Sequence, residues 1–195
     1  AEIAPTIEDR GIDEIYIDLT EHEEETAPLA QAIKDNVRRA TGLSCSIGVA
    51  PNKLLAKIAS DLDKPDGLTI LTPADVRTRI WPLSARKING IGPRAAAKLQ
   101  ALGIETIGAL AQSERAQLAT HFGAHYGDWL LDAAQGIDER PVVTVREPKS
   151  ISCETTFERD LDVRRDRELL SHILLQLCER LSGHLARKGY LGKTV

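Results

Sequence analysis

Apolar positions alternate in short runs over the first third of the chain and recur at three- and four-residue spacings beyond it, so the period of the pattern changes from strand to helix. Gly11 to Asp18 opens with an apolar, β-branched run that predicts a strand. Leu29, Ile33 and Val37 lie at i, i+4 and i+8 and predict a helix with Thr26 as its cap, Pro28 early in it and Gly42 as its stop. Ser44 to Ala50 alternates towards a second strand. Asn52 is placed to cap an amphipathic helix carrying Leu54, Leu55, Ile58 and Leu62, and Lys64-Pro65-Asp66-Gly67 is a turn leading into a strand over 68–71.

Strand signals vanish from Pro82 to about Pro141 and short helices replace them, which places a boundary at Trp81–Ser84. A polar tether, Arg146-Glu147-Pro148-Lys149, marks a second boundary. Beyond it, Ser150 to Phe157 predicts a strand, followed by a long helix with Leu169 or Leu170, Ile173, Leu174, Leu177, Leu181 and Leu185 on one stripe. The expected fold class is α+β, with domains at 1–81, 82–146 and 147–195.

At 195 residues and 42% hydrophobic, the chain can fill one large core or two small ones. No run approaches the roughly 18 apolar residues of a membrane span, so no membrane partner and a cytoplasmic location are expected. Cys45, Cys153 and Cys178 are odd in number and widely spaced, as expected of reduced, buried thiols. The net charge of −4 is unevenly spread: residues 1–30 hold ten acids against Arg10 alone, and the remainder holds 24 bases against 19 acids. A mildly basic body behind an acidic head is compatible with a phosphate-binding surface. The chain starts at Ala1, contains no methionine and stops as a β-type run begins, the pattern expected of a piece of a longer protein.

Asp13 and Glu14 at the head of an apolar run are the first chemical signal, because carboxylates there need cations or donors. Aspartate and glutamate oxygens suit Mg²⁺, which is commonly shared between carboxylates and substrate phosphates. Neighbouring residues of a flat strand face opposite ways, so both acids reach one ion only through a twist or bulge, which Gly11 permits. A solvated turn preceding a strand is the plainer alternative. No third acid suggests itself downstream, and Glu21, Glu23, Glu24 and Glu25 read as a solvated run. Lys53 and Lys57 share a helix face as ordinary surface cations, whereas Lys64 sits on a fixed turn from which an ammonium can meet a phosphate, a solvated turn lysine being the plainer alternative.

Ile88-Asn89-Gly90-Ile91-Gly92-Pro93 is the strongest local motif. Its glycines allow a tight hairpin, Pro93 starts a helix where no N–H is needed, and Ile91 plugs between helices. The backbone amides of such a loop can bind a phosphate without reading a base. The motif resembles the helix-hairpin-helix module, and Leu102-Gly103-Ile104 gives a second, partial hairpin signal; a plain helical hairpin with a glycine turn is the alternative. His121 and His125 are four apart but lack a third ligand and read as loop or packed imidazoles.

In order, GIDEIYIDLT, TGLSCSIGVAPNKLLAKIASDLDKPDGLTIL, INGIGPRAAAKLQALGIETIGALA, FGAHYGDWLLDAAQGIDERPV and PKSISCETTFERDL resemble the Y-family lesion-bypass DNA polymerases, most closely the bacterial DNA polymerase IV branch. The resemblance implies a partial palm over 1–81, with a mixed or antiparallel sheet and helices on one face. It further implies an all-α thumb with the helix-hairpin-helix over 82–146 and a partial α+β little finger over 147–195. Asp13 and Glu14 match the family's metal-binding acids, for two Mg²⁺ ions in the complete enzyme, and Lys64 matches the lysine that meets the incoming deoxynucleoside triphosphate. Asn89, Gly90, Ile91 and Gly92 match the thumb loop on primer-template DNA, Lys98 is a further cation for its phosphates, and Lys149 and Ser150 match the entry to the little finger.

Gly11 stands where the family usually has serine. The resemblance also places the first metal-binding aspartate, the fingers and the ribonucleotide-excluding residue before Ala1, and the rest of the little finger and a clamp-binding tail after Val195. The implied activity is deoxynucleotidyl transfer opposite damaged templates, with this segment alone inactive. The alternative is a non-catalytic helix-hairpin-helix scaffold of a repair complex.

Overall fold

The computed structural model describes residues 6–145 and 147–193. The chain divides into two compact units, one ending at Thr144 and the other beginning at Val145. The first unit opens with an antiparallel hairpin, β1 (Ile7–Asp9) and β2 (Ile15–Ile17), in which Glu8 pairs with Tyr16. A 3₁₀ turn, Thr20–Glu25, leads into helix α1 (Thr26–Thr41), then strand β3 (Ile47–Val49), helix α2 (Lys53–Leu62) and strand β4 (Leu68–Ile70). β3 and β4 run parallel, with α2 as the crossover between them. The described strands thus form two separate pairs, one antiparallel and one parallel.

Helix α2 lies directly on β3. A Cβ built on Gly48 would stand 2.1 Å from the Ala56 carbonyl oxygen, so glycine is what lets helix and strand backbones approach this closely. Asn52 caps α2 as its position predicts, its side chain accepting from the Leu55 amide at 3.0 Å. Thr26 does not cap α1 in this way; it is the first helical residue, and its hydroxyl donates to the His22 carbonyl at 2.9 Å.

Four helices follow: α3 (Pro93–Ala101), α4 (Ile107–Ala111), α5 (Arg115–Phe122) and α6 (Ala124–Ala134). Their buried Leu99, Ile107, Leu110, Leu118 and Leu130 join Leu54, Leu55, Ile58 and Ala59 of α2 in one continuous core. Asp138, just past α6, reaches back to the start of α2, where its carboxylate accepts from the Leu54 amide at 3.0 Å and from Arg140 at 2.6 and 2.8 Å.

In the second unit, helix α7 (Arg167–Lys188) half-buries Leu170, Ile173, Leu177, Leu181 and Leu185, close to the predicted stripe, but Leu169 and Leu174 are exposed. The predicted strand over Ser150–Phe157 does not form. A strand requires a ladder partner, and no described residue of this unit supplies one. Cys153 lies against α7, its sulfur 3.8 Å from Nδ1 of His184. All three cysteines are free thiols; Cys45 and Cys153 are half-buried and Cys178 is exposed on α7, whereas burial was expected of all three.

Burial alone would raise the Asp138 pKa, but the Arg140 guanidinium and the Leu54 amide outweigh it and hold the carboxyl below its ordinary value. A depressed folded pKa contributes stability that is complete above the unfolded value, near 3.9, and is lost as pH falls through the folded one. Asp138→Asn is therefore expected to lower stability at pH 7 by about 1–2 kcal/mol and to flatten the acid dependence of stability below about pH 4, measured by urea denaturation at both ends of that range.

Candidate active site and nucleic-acid interface

Asp13 and Glu14 lie in the turn between β1 and β2, not in the ladder itself. Gly11 has φ +142° and provides the backbone freedom expected of it. The turn is closed by Arg10 N donating to Glu14 O at 3.0 Å and by Gly11 N donating to an Asp9 carboxylate oxygen at 2.9 Å. Both acids are exposed, as is Ile12 between the glycine and the acids.

Two lysines one helical turn apart on α2 hold this hairpin in place. Lys53 is not a surface cation: with Glu8 it forms a buried ion pair of 2.7 Å, donates to the Pro141 carbonyl at 2.7 Å and lies over the Tyr16 ring. Glu8 also accepts from the Val143 amide at 3.0 Å and from Arg10 at 3.3 Å. Lys57 donates to Glu14, which raises the lysine's pKa. Asp13 makes no hydrogen bond or ion pair with any described residue. The hairpin therefore presents one carboxylate held by a cation and one open to solvent. Hard oxygen donors on adjacent residues fit a divalent ion, although among the described residues no group of three potential ligands assembles.

Lys64 follows α2 on the turn the sequence assigns to it. Its ammonium is 2.5 Å from Asp61. The turn is anchored from behind by Lys34, a buried lysine donating to the carbonyls of Cys45, Asp66 and Gly67 and to the Asp66 carboxylate, with Arg38 on the same carboxylate. Lys34 and Asp61 have no role legible in the sequence, and Lys57 reads there as a surface cation, because their partners lie far along the chain or across α2. The i, i+4 spacing of Lys57 and Asp61 on α2 and the short step from Asp61 to Lys64 were the available signals.

At the glycine hairpin, Ile91 is buried and Asn89, Gly90 and Gly92 are exposed at the entry to α3. The amides of Gly90 and Gly92 donate to no described residue. Gly90 has φ +115°, and a Cβ there would meet the Trp129 ring at 2.6 Å. Tyr126 stacks on Trp129 and donates to the Gly90 carbonyl at 2.8 Å, so the loop rests on an aromatic shelf from α6. Gly92 has open space around its Cβ position. Lys98 is exposed, but its ammonium bonds the His121 carbonyl and lies over Phe122. His121 lies in the last turn of α5 and His125 in the first turn of α6, so they do not form a one-helix metal pair. Lys149 and Ser150 are exposed in the second unit. A cleft of about 870 Å³ lined by Asn52, Arg77, Trp81 and Gln135 contains none of the predicted site residues.

Three family profiles match along the chain: the impB/mucB/samB family over 1–61, the thumb domain of DNA polymerase iota over 86–138, and the impB/mucB/samB C-terminal domain over 148–195. DNA polymerase IV of Halorhodospira halophila is 41% identical over 188 residues, covering 94% of this chain and 52% of that protein. DNA polymerase IV of Moorella thermoacetica is 40% identical over 199 residues, covering 100% of this chain and 49% of that one. Among solved structures, DinB from Sulfolobus solfataricus matches with a TM-score of 0.65 at 34% identity, over 72% of this chain and 42% of its own. A Y-family DNA polymerase chimera matches with a TM-score of 0.67 at 34% identity, over 77% and 44%.

The chain belongs to the Y family of DNA polymerases. It spans about half the length of the DNA polymerase IV relatives it matches. Membership in the Y family accounts for an all-helical region with a glycine hairpin following an acid-bearing α+β region. Among the described residues no helix is long and apolar enough to cross a membrane.

The two hairpin glycines should separate by experiment. Gly90→Ala is expected to destabilise the first unit by about 1–3 kcal/mol through its left-handed backbone and the Trp129 contact, and Gly92→Ala to stay within about 1 kcal/mol of the parent, both read by urea denaturation.

Proposed function

We propose that this chain is the palm, thumb and little-finger portion of a translesion DNA polymerase of the DNA polymerase IV type, which adds deoxynucleotides to a primer 3′ end on damaged DNA. The observation that carries the reading is the acid turn at 13–14, pinned to the same helix whose exit presents Lys64, in a chain of this family. The reading divides the chain into palm over 1–81, thumb over 82–146 and little finger over 147–195.

In this reading Asp13 and Glu14 are ligands for divalent metal. Two Mg²⁺ ions, when bound, would lower the pKa of the primer hydroxyl and neutralise charge gathering on the leaving pyrophosphate. Lys64 meets the triphosphate as a point charge. Asn89, Gly90, Ile91 and Gly92 form a phosphate cradle whose amides grip the duplex backbone without reading sequence, and Lys98, Lys149 and Ser150 extend the contact with DNA phosphates. The insertion ternary complex of Dbh DNA polymerase, at 34% identity and a TM-score of 0.66, supports the assignment of DNA and nucleotide as partners. A sliding clamp, reached through a tail outside these residues, and a cytoplasmic location complete the reading.

Two outcomes test it. In a full-length polymerase carrying this segment, Asp13→Ala is expected to reduce nucleotide addition by about a thousandfold or more with primer-template affinity nearly unchanged; equal losses in both would make Asp13 structural. The 195-residue chain alone is expected to bind primer-template DNA with an affinity that falls steeply with salt, and not to extend the primer with Mg²⁺ and all four deoxynucleotides. Extension abolished by Asp13→Ala would show that Asp13 and Glu14 suffice without a third acid.

A further inference from the structure

Four charged groups form a continuous line across the candidate site: Glu14 on the hairpin turn, Lys57 and Asp61 on α2, and Lys64 on the turn beyond it. Glu14 holds Lys57, Lys57 stands 3.8 Å from Asp61, and Asp61 holds Lys64 at 2.5 Å. Residues 57 and 61 are i, i+4 on one helix, and Lys64 on the following turn faces the same Asp61 oxygen that Lys57 approaches, so both ammonium groups lie within side-chain reach of one carboxylate. The line is balanced, two carboxylates against two ammonium groups.

We propose that Asp61 is a positioning residue that exchanges partners between these lysines. It holds Lys64 while no triphosphate is present. When Lys64 turns to a triphosphate, Asp61 draws Lys57 away from Glu14 and clears that carboxylate for a divalent ion. The inference rests on the reading of Asp13 and Glu14 as metal ligands and of Lys64 as the triphosphate lysine.

Charge counting supports the exchange. With Lys64 engaged elsewhere, Glu14, Lys57 and Asp61 carry one net negative charge, and a single ammonium cannot neutralise both acids. Lys57 and Asp61 are fixed relative to one another by the helix, whereas Glu14 sits on an exposed turn. The Lys57–Asp61 separation needs to close by only about 1 Å to reach ordinary charge-assisted hydrogen-bond length. Lys57 is one-fifth exposed and Asp61 one-third, so water does not fully screen the pair. The consequence is positive coupling between triphosphate and metal, carried by the protein in addition to any direct contact between the two.

The test removes the triphosphate, so that direct contact cannot contribute. Mg²⁺ is titrated into the 195-residue chain and followed through the backbone amide NMR shifts of Asp13 and Glu14, in the parent, Lys64→Gln, Asp61→Asn and the double variant. Lys64→Gln releases Asp61 and is expected to tighten Mg²⁺ at these amides by about fivefold. In the Asp61→Asn background the same substitution is expected to change affinity by less than about 1.5-fold. An equal effect of Lys64→Gln in both backgrounds would reduce it to through-space charge and overturn the exchange. Asp13→Ala separates the two failures: loss of the Mg²⁺ response on Glu14 with an additive cycle rejects the exchange alone, whereas an unchanged response rejects the metal reading and the exchange together.

Discussion

The buried Glu8–Lys53 pair is the contact on which the placement of the acid turn depends. A carboxylate with no solvent exposure requires a fixed cation and further donors, and Glu8 obtains Lys53, the Val143 amide and Arg10. Lys53 in turn donates to the Pro141 carbonyl. One pair of side chains thereby joins β1, the first turn of α2 and the segment after α6. Removing either member would leave the other charge buried, so the three elements are tied by the cost of separation more than by net attraction. Tyr16, opposite Glu8 in the hairpin ladder, adds its ring face to the same ammonium.

Helix α2 consequently organises the first unit. Its apolar face enters the continuous core, its N-terminal amides are capped by Asn52 on one side and Asp138 on the other, and its polar stripe carries Lys53, Lys57 and Asp61. The Lys64 turn at its far end is held from behind by Lys34 and Arg38. The acid turn and the Lys64 ammonium are thus referred to one rigid element, which is the requirement for holding charged groups in a fixed geometry.

Local features of this arrangement were legible in the sequence: the Asn52 cap, the Lys64 turn, the hairpin with buried Ile91, and the glycine that frees the acid turn. Each depends on residues within a few positions of one another, where propensity and spacing carry the information. Lys53 looked like a surface lysine because its partner lies 45 positions away and nothing in a helical wheel reveals a carboxylate arriving from β1. The Ser150–Phe157 strand failed for the opposite reason. Its alternation is real, but a ladder is a relation between segments, and period alone cannot supply the second one.

Asp13 and Glu14 illustrate how two adjacent carboxylates can be kept on one turn. Two like charges on neighbouring residues repel, and burying both would require more cations than the hairpin can reach. The fold leaves them in water, where screening is strong, and neutralises only Glu14, through Lys57. Asp13 is exposed and pairs with no described residue. The same turn combines a carboxylate paired with a lysine and one paired with no described cation, and that asymmetry follows from which of the two α2 can reach.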